Sequence, residues 1–368
     1  MSHPNWRRAA ALTALVFTMV LLAVGSAFAQ HYTRTDLTAD NSNVSSAPNI
    51  DPHLVNAWGM SRSSGSPWWV SDNGTGLSTL YDATGLPQSL VVTIPMPKGQ
   101  TGTSTPTGTV FNYTNGAFEV ASGQRAIFIF VTEDGTISGW NPNVDPTNAI
   151  LKVDNSKSGA VYKGCAIATT QASRRLYVTN FASGSVEMYN ANFHQIVRDA
   201  FQDPQLPKNY VPFGIQNIGG SIVVTYAKRL PGAKDEEHGA GLGYVNVFDL
   251  DGNLVLRLQH GSFLNAPWGI ALAPGDFGSF SHRLLIGNFG DGTVLAFNAI
   301  SGKFEGKLQD QNGQTLAIDG LWTLSFGANS TNSGFATELY FTAGPNDEND
   351  GVFGKLTAVG TDQRGNSE

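Results

Sequence analysis

The sequence predicts an all-β fold made of six repeated units, and three observations support this. A glycine followed by apolar strand-forming residues recurs along the chain, with copies roughly 50 to 56 residues apart. After each copy come a short run of β-branched and aromatic residues, a Gly-containing turn and another strand. No helical periodicity of useful length appears after residue 30. Six units of four strands predict a six-bladed β-propeller with antiparallel strands in each blade.

The glycine repeat marks the innermost strand of each predicted blade. Its copies are Ala57-Trp58-Gly59, Thr107-Gly108, Lys163-Gly164, Pro212-Phe213-Gly214, Pro267-Trp268-Gly269 and a degenerate Gly320-Leu321-Trp322. Third strands are predicted over Leu77–Tyr81, Thr136–Trp140, Ser185–Tyr189, Tyr244–Phe248, Thr293–Phe297 and Val352–Leu356. More polar fourth strands are predicted over Ser89–Val92 and Leu254–Leu258. A blade buries its two faces only against neighbouring blades, so a closed ring protects all of them. A seven-bladed ring is the alternative, but the sequence offers no seventh copy.

The sixth unit lacks a fourth strand of its own. The segment Tyr32–Leu37 alternates polar and apolar residues as a strand does. We therefore expect this N-terminal strand to pair with Val352–Leu356 and to close the ring.

The N-terminal segment has the pattern of a signal peptide. Arg7 and Arg8 precede an apolar run, and small residues at Ala27 and Ala29 predict cleavage after Ala29. An uncleaved membrane anchor is the alternative, although the apolar run is short for a span. The chain is thus divided into a cleaved segment, 1–29, a single propeller domain, 30–359, and a polar tail, 360–368. Export to the periplasm or the medium is the expected localisation, with no membrane span after cleavage.

Composition excludes several classes of protein. The 368 residues are 41% hydrophobic and 14% charged, which suits a chain that buries a core. A single cysteine, Cys165, excludes an internal disulfide and cysteine-cluster zinc sites, and we expect it to be buried on an innermost strand. The net charge of −7 becomes −9 once the two arginines of the signal segment are removed. An acidic surface makes nucleic acid a poor partner.

One end of the predicted ring collects oxygen-bearing side chains. The second strands finish on Asp72, Glu133, Asn180, Tyr226, Asn288 and Ala343. The first five form a candidate ligand-binding rim, and Ca²⁺ or another divalent metal would suit such oxygens. The alternative is that Asp and Asn at strand ends bond to the backbone of their own turns.

The two largest departures from the repeat fall on the same end. One is the expanded turn from Ala227 to Gly243 in unit four, and the other is the acidic turn from Gly344 to Gly351 in unit six. Asp347, Glu348 and Asp350 in the second turn are weak candidates for a metal site, because their spacing is not that of an EF-hand loop. Charged loops of this kind are also often merely solvated.

Other catalytic signatures are missing from the sequence. No HExxH, GxSxG or phosphate-loop motif occurs. His53 and His260 precede innermost strands and could reach one rim, or they could be isolated surface histidines. Trp58, Trp268, Trp322 and Phe213 recur in register and are expected to pack between blades.

Three stretches, Asp51–Gly59, Trp69–Gly76 and Leu284–Gly292, resemble an uncharacterised family of secreted bacterial propellers that is distantly similar to NHL-repeat proteins. The resemblance implies a six-bladed propeller and export, and it brings no activity or catalytic residue. More remotely, the architecture is similar to gluconolactonase-like and lyase propellers, a fold analogy that does not establish function.

Two functions stay open at this point. The first is a binding or scaffold module of the cell envelope or extracellular space, with a protein, a glycan or a small molecule as its partner. The second is a metal-dependent enzyme of lactonase or lyase type, in which Asp72, Glu133, Asn180 and Asn288 would hold a metal at the axial opening.

Overall fold

A computed structural model describes residues 31–171 and 173–359 of the chain. The predicted signal segment and C-terminal tail lie outside these residues. The strands before the first blade are β1 (Tyr32–Ala39) and β2 (Asn49–Ile50). Short helical segments occur at Ser156–Ser158, Gly278–Phe280 and Pro345–Glu348. None of the helices in the described part of the chain is long and apolar enough to cross a membrane.

The first three blades follow in chain order. Blade one contains β3 (Ala57–Ser61), β4 (Trp68–Asp72), β5 (Leu77–Tyr81) and β6 (Val92–Thr93). Blade two contains β7 (Pro106–Phe111), an inserted hairpin of β8 (Glu119–Ala121) and β9 (Gln124–Arg125), and then β10 (Phe128–Thr132), β11 (Thr136–Trp140) and β12 (Ile150–Asp154). Blade three contains β13 (Tyr162–Thr169), β14 (Arg174–Asn180), β15 (Ser185–Asn190) and β16 (Gln195–Ile196).

The last three blades complete the ring. Blade four contains β17 (Tyr210–Ile218), β18 (Ser221–Arg229), the short β19 (Glu236–Glu237), β20 (Gly243–Phe248) and β21 (Leu254–Arg257). Blade five contains β22 (Pro267–Leu272), β23 (Arg283–Asn288), β24 (Val294–Asn298) and β25 (Phe304–Lys307). Blade six contains β26 (Leu321–Phe326), β27 (Leu339–Ala343) and β28 (Val352–Ala358), and it is extended by β1 and β2.

The predicted six-bladed propeller is therefore confirmed. The first strand of each blade contacts the first strand of the next, and β26 contacts β3 to close the circle. The fourth strand of blade one is the main departure from the predicted boundaries. It spans only Val92–Thr93 and not Ser89–Val92, because Gln88 bonds through its backbone to Leu80 and Tyr81 bridges to Pro87 before the regular ladder begins.

A column of glycines lets the innermost strands approach the axis. A Cβ atom added at these positions would lie 2.1 to 2.6 Å from backbone atoms of the next blade, at Gly59, Gly108, Gly214 and Gly269. Real Cβ contacts are essentially never shorter than 3.0 Å. The glycine repeat therefore records backbone-to-backbone contact between blades.

The residue before each glycine faces the axis. The pairing of each first strand shifts register at this point, as between Tyr162 and Gly164 in blade three or Pro267 and Gly269 in blade five. Such bulges re-aim a side chain. The bulged column is buried throughout and contains Trp58, Thr107, Lys163, Phe213, Trp268 and Trp322. As predicted, its aromatic members are core residues. We call Trp58, Phe213, Trp268 and Trp322 the aromatic plug, because they pack into one cluster.

The N-terminal strand closes the ring as predicted. β1 pairs antiparallel with β28 from Tyr32 opposite Ala358 to Ala39 opposite Val352. Tyr32 is 1% exposed, and its hydroxyl donates to the carbonyl of Phe277 at 3.0 Å. The pairing of β1 with β28 therefore completes blade six.

Deleting residues 31–39 should lower the melting temperature by at least about 10 °C, since the loss of several kcal/mol shifts the Tm of a large domain by about 2–4 °C per kcal/mol. The deletion leaves β28 as an unpaired edge. Thermal unfolding followed by circular dichroism measures the effect. Thr35→Ala, on an exposed position of the same strand, is the control and should change Tm little. An unchanged melting curve for the deletion would refute closure by β1.

Candidate functional site

The upper end of the axis is where the innermost strands begin and the second strands finish. Lys163 is the one charged member of the bulged column, and its side chain is only 1% exposed. Its Nζ donates to Glu133 Oε1 at 2.6 Å and to Asp235 Oδ1 at 3.1 Å. The ammonium also lies 4.9 Å from the Trp58 ring centroid. A buried cation thus sits between carboxylates above and the aromatic plug below.

The pKa of Lys163 shows how strongly these carboxylates act. Burial by itself would lower the pKa of the ammonium. The charges of Glu133, Glu236 and Asp235 outweigh burial and hold the pKa above its ordinary value. Lys163 is therefore charged at neutral pH, with its charge neutralised by groups from two other blades.

A chain of hydrogen bonds continues from this ion pair around the rim. Asn73 Nδ2 donates to Glu133 Oε2 at 2.9 Å, and Asn56 Nδ2 donates to Asn73 Oδ1 at 3.3 Å. Asn56 Nδ2 also donates to Glu348 Oε2 at 2.6 Å. The indole of Trp322 donates to Asn56 Oδ1 at 3.0 Å, which fixes the amide orientation from below. Loops of several blades are connected through one polar network.

Glu348 reaches this network from an unusual turn. Asn346, Asp347 and Glu348 have φ values of 56°, 52° and 65°, so three successive non-glycine residues are left-handed. Each such residue costs about 1–2 kcal/mol, and strain of this kind concentrates at functional sites. Burial, followed by the charges of Glu236 and Glu133, raises the pKa of Glu348, although the Asn56 bond and Lys163 oppose this rise. The turn therefore holds the Glu348 carboxylate close to the carboxylates of Glu236 and Glu133.

The expanded turn of blade four supplies the remaining acids. The Glu236 side chain is 3% exposed; its Oε1 lies 3.3 Å from His238 Nε2, and its Oε2 is buried without a hydrogen-bond partner among the described residues. Hydrogen bonding to Glu236 raises the pKa of His238. The His238 ring meets Phe289 edge-on at 5.0 Å, and Phe289 stacks on Trp322 at 3.9 Å. We call this whole set the upper rim: Asn56, Asn73, Glu133, Lys163, Asp235, Glu236, His238 and Glu348.

Of the column predicted from the second-strand ends, the upper rim contains only Glu133. Asp72 is fully buried and its Oδ2 accepts from the Thr79 amide and hydroxyl at 3.0 and 2.8 Å. Asn180 bonds to Glu187 and to the amides of Val161 and Ser183. Asn288 bonds to Phe263, Asn265 and Thr293. Tyr226 is 2% exposed in the blade core. Asp72, Asn180 and Asn288 therefore bond to groups of their own blades, and Tyr226 packs in the core of its blade. None of the four side chains belongs to the upper rim.

The acidic turn of blade six is divided between different partners. Glu348 joins the upper rim, whereas Asp350 Oδ1 accepts from Asn41 Nδ2 at 2.9 Å. Within residues 31–171 and 173–359, no group of three or more His, Cys, Asp or Glu side chains is arranged to hold a metal ion. His53 pairs with Asp51 at 2.9 Å and His260 stacks on Tyr244, so neither belongs to the upper rim. Cys165 is buried, as predicted.

The sequence reasoning missed Lys163, Asn56 and Asn73. It pointed to Asp235, Glu236 and His238 only as members of the expanded turn of unit four. A signal for Lys163 was present, because a lysine stands where the other repeats have an aromatic residue or threonine. A buried lysine requires carboxylates, and the two charged expansions of the repeat lie on the same end. Nothing in the spacing of Asn56 or Asn73 marks them, since their role depends on packing between blades.

Replacing Lys163 by Met should lower the free energy of unfolding by about 3–5 kcal/mol, because it leaves the buried Glu236 and the largely buried Glu133 without their counter-charge. The double variant Lys163→Met/Glu133→Gln should lose less than the sum of the two single variants, since Gln can still accept from Asn73. Urea unfolding of all four proteins measures the coupling. Additive losses would show that the ion pair does not organise the upper rim.

Replacing Glu348 by Gln should raise Tm at pH 8 by about 2–4 °C, roughly 1 kcal/mol. The raised pKa means that the folded protein disfavours the charged carboxylate. The stability linked to Glu348 protonation is fully present below its unfolded pKa and is lost as pH rises through the raised folded pKa. The gain from Gln should therefore fade on acidification. Glu237→Gln, whose carboxylate pairs with Lys228 at 2.8 Å, is the control and should not stabilise. A Glu348→Gln protein that is less stable than the unaltered protein at pH 8 would contradict the view that the fold disfavours the charged form of Glu348.

Comparison with known proteins gives relatives by sequence and by fold. No family model matches the chain. Streptogramin B lyase superposes with a TM-score of 0.51 at 12% identity, covering 89% of this chain and 98% of that structure. PQQ-bound aldose sugar dehydrogenase from Streptomyces coelicolor gives 0.53 at 12% identity, covering 90% and 98%. At such identity the likeness shows the fold alone.

Two relatives by sequence come from Acanthamoeba polyphaga mimivirus. Uncharacterized protein R648 is 32% identical over 320 residues, which cover 84% of this chain and 76% of that protein. Uncharacterized protein L690 is 32% identical over 329 residues, which cover 86% and 83%. The structural neighbours thus confirm that the predicted resemblance to propeller proteins was right, whereas membership of a secreted bacterial family stays a prediction. By identity and coverage, the chain belongs to the same protein family as R648 and L690 of this mimivirus.

Proposed function

We propose that this protein is a binding module that holds an organic cation, an amine or a guanidinium, at the upper rim. The observation that carries the proposal is Glu236, a buried carboxylate with one oxygen that has no hydrogen-bond partner among the described residues. A buried charged oxygen left unpaired is costly, and a cationic ligand would satisfy it. The export predicted from the N-terminal segment would place this site in the periplasm or outside the cell.

The charge of the upper rim favours a cation. Four carboxylates, those of Glu133, Asp235, Glu236 and Glu348, surround a single buried ammonium. Burial raises the pKa of Glu348, and the charges of Glu236 and Glu133 add to the rise. The hydrogen bond to Glu236, with its charge and those of Glu348 and Asp347, raises the pKa of His238. One positive charge added here would relieve repulsion that the folded chain carries by itself.

The accessible part of the rim favours an organic cation over a bare ion. The His238 side chain is 47% exposed and Asp235 is 79% exposed, so both can be approached from solvent. Beneath His238 lie Phe289 and Trp322, stacked on each other. Aromatic rings beside carboxylates are the surroundings in which ammonium and guanidinium groups are recognised. A protein side chain of the same chemistry could be the natural ligand.

The metal-dependent lactonase- or lyase-like enzyme is the second candidate. Glu133, Asp235 and Glu236 offer hard oxygen atoms from two blades, and the raised pKa of Glu348 favours its protonated, proton-donating form. As they stand, however, no three acids of the described residues are arranged as a metal site. In addition, Lys163 Nζ lies between Glu133 and Asp235 at hydrogen-bond distance from both. The ammonium thus takes the position that a divalent metal would need, which is why we rank binding of an organic cation first.

Isothermal titration with benzylamine and with Ca²⁺ tests both candidates. We expect benzylamine to bind, and Glu236→Gln to weaken it at least about tenfold, equivalent to 1.4 kcal/mol. Glu237→Gln removes the same charge one residue away and should leave the affinity unchanged.

Two results would contradict the proposal. Equal affinity for benzylamine in Glu236→Gln and the unaltered protein would show that the amine does not use this site. Binding of Ca²⁺ that depends on Glu236, with no benzylamine binding, would favour the metal-dependent enzyme instead. Melting curves of each variant verify that the proteins compared are folded.

A further inference from the structure

The opposite end of the axis contains two adjoining cavities of about 280 and about 310 Å³. We call this end the lower funnel; both cavities are lined by Arg62, Gln216, Asn217 and Ser325, which follow or end the innermost strands. A small axial cavity of about 30 Å³, also lined by Gln216, lies above it. That volume holds about one water. The lower funnel is therefore a separate compartment from the upper rim for any larger ligand.

Arg62 contributes a fixed positive charge to the lower funnel. Its guanidinium donates to the backbone carbonyls of Phe326 at 3.1 Å and Gly327 at 2.8 Å, and it lies 5.1 Å from the Trp68 ring centroid. No carboxylate of the described residues lies within 4.0 Å, the ion-pair distance. The carbonyls orient the group but do not neutralise its charge.

Arg174 is a second arginine with no carboxylate within ion-pair distance among the residues that the structure describes. It is 3% exposed, and its guanidinium carbon lies 3.5 Å from the ring centroid of Tyr113, which lines the funnel. Nη1 donates to the hydroxyl of Thr169, while Nε and Nη2 are buried with no hydrogen-bond partner among the described residues. A buried cation with two unused donors is costly, and an anionic oxygen is its natural partner.

The Tyr113 ring covers one face of the Arg174 guanidinium. The tyrosine is 61% exposed, and its hydroxyl lies 3.2 Å from that of Thr169. Exposed side chains change rotamer freely on fast timescales. Rotation of this ring would uncover the Arg174 guanidinium toward the funnel without any change in the blade.

The rest of the funnel wall is uncharged. Met60, Ile167, Ile270, Leu324 and Phe326 provide apolar surface, and Gln216 and Asn217 provide amide groups. The two cavities together have the size of a small-molecule site. Positive charge at one place and apolar wall around it suit a ligand with an anionic head and an uncharged body.

We propose that the lower funnel is a second binding site, for a small organic anion whose carboxylate or phosphate group is held by Arg62, which lines both cavities, with Arg174 as a second donor once the Tyr113 ring moves aside. The uncharged part of the anion packs on the apolar wall. The two ends of the axis thus recognise ligands of opposite charge, and this inference does not depend on the cation proposed for the upper rim.

Thermal shift and titration with phenyl phosphate and with benzoate, at constant ionic strength, test this site. We expect at least one of the two anions to raise Tm, and which one does so separates phosphate from carboxylate recognition. Arg62→Gln should weaken that anion at least about tenfold. Arg34→Gln removes the same charge from the outer strand β1, where Arg34 pairs with Asp36 at 2.7 Å, and should have no effect. Tyr113→Ala should preserve or strengthen binding, and Glu236→Gln should leave it unchanged.

Crystals of the unaltered protein soaked in phenyl phosphate or benzoate give a readout that does not depend on the folding of the arginine variants. Electron density for the anionic group at Arg62 or Arg174 would support the site. Binding of neither anion at millimolar concentration, or an affinity that is equal in Arg62→Gln and Arg34→Gln, would overturn it.

Discussion

The contact between backbones at the axis is the constraint on which the rest of this molecule depends. Adjacent innermost strands approach so closely that Gly59, Gly108, Gly214 and Gly269 have no space for a Cβ atom. Hydroxyl groups bond the strands across this contact, as when Thr107 donates to the Tyr162 carbonyl at 2.7 Å and Thr323 to that of Trp58 at 2.7 Å. Six blades so joined leave little room along the axis, and the residues beside the glycines must fill what remains.

This constraint explains why the chemistry lies at the two ends of the ring. Large aromatic side chains fill the axis from Trp58, Phe213, Trp268 and Trp322, so a ligand cannot pass through. At the upper end, Lys163 replaces an aromatic residue and creates a buried charge that loops of blades two and four neutralise. At the lower end, Arg62 and Arg174 have no carboxylate within ion-pair distance among the described residues, whereas Arg175 pairs with Asp251.

Much of the fold could be predicted from the sequence, because the repeat reports backbone geometry directly. The glycine column and the short strands fixed the number of blades, and the alternation in Tyr32–Leu37 identified the closing strand. The β8–β9 hairpin carries no repeat and was missed. The candidate site was harder to predict. The position of a residue at the end of a second strand shows which end of the ring it lies on, but not which way its side chain points. Asp72 turns inward onto Thr79, whereas its neighbour Asn73 joins the upper rim. Which of two adjacent polar residues joins the upper rim depends on side-chain packing that one sequence does not reveal.

Closure by β1 has a consequence for how the chain acquires its structure during synthesis. Tyr32 is synthesised long before Ala358, yet they are partners in one ladder. Their encounter carries the entropy of closing a very long loop, and pairings between distant segments form slowly. Until the final blade has been synthesised, β1 is an unpaired strand that could pair with other chains and aggregate. Ring closure by β1 therefore leaves the nascent chain open to misassembly until β28 has been synthesised and paired with β1.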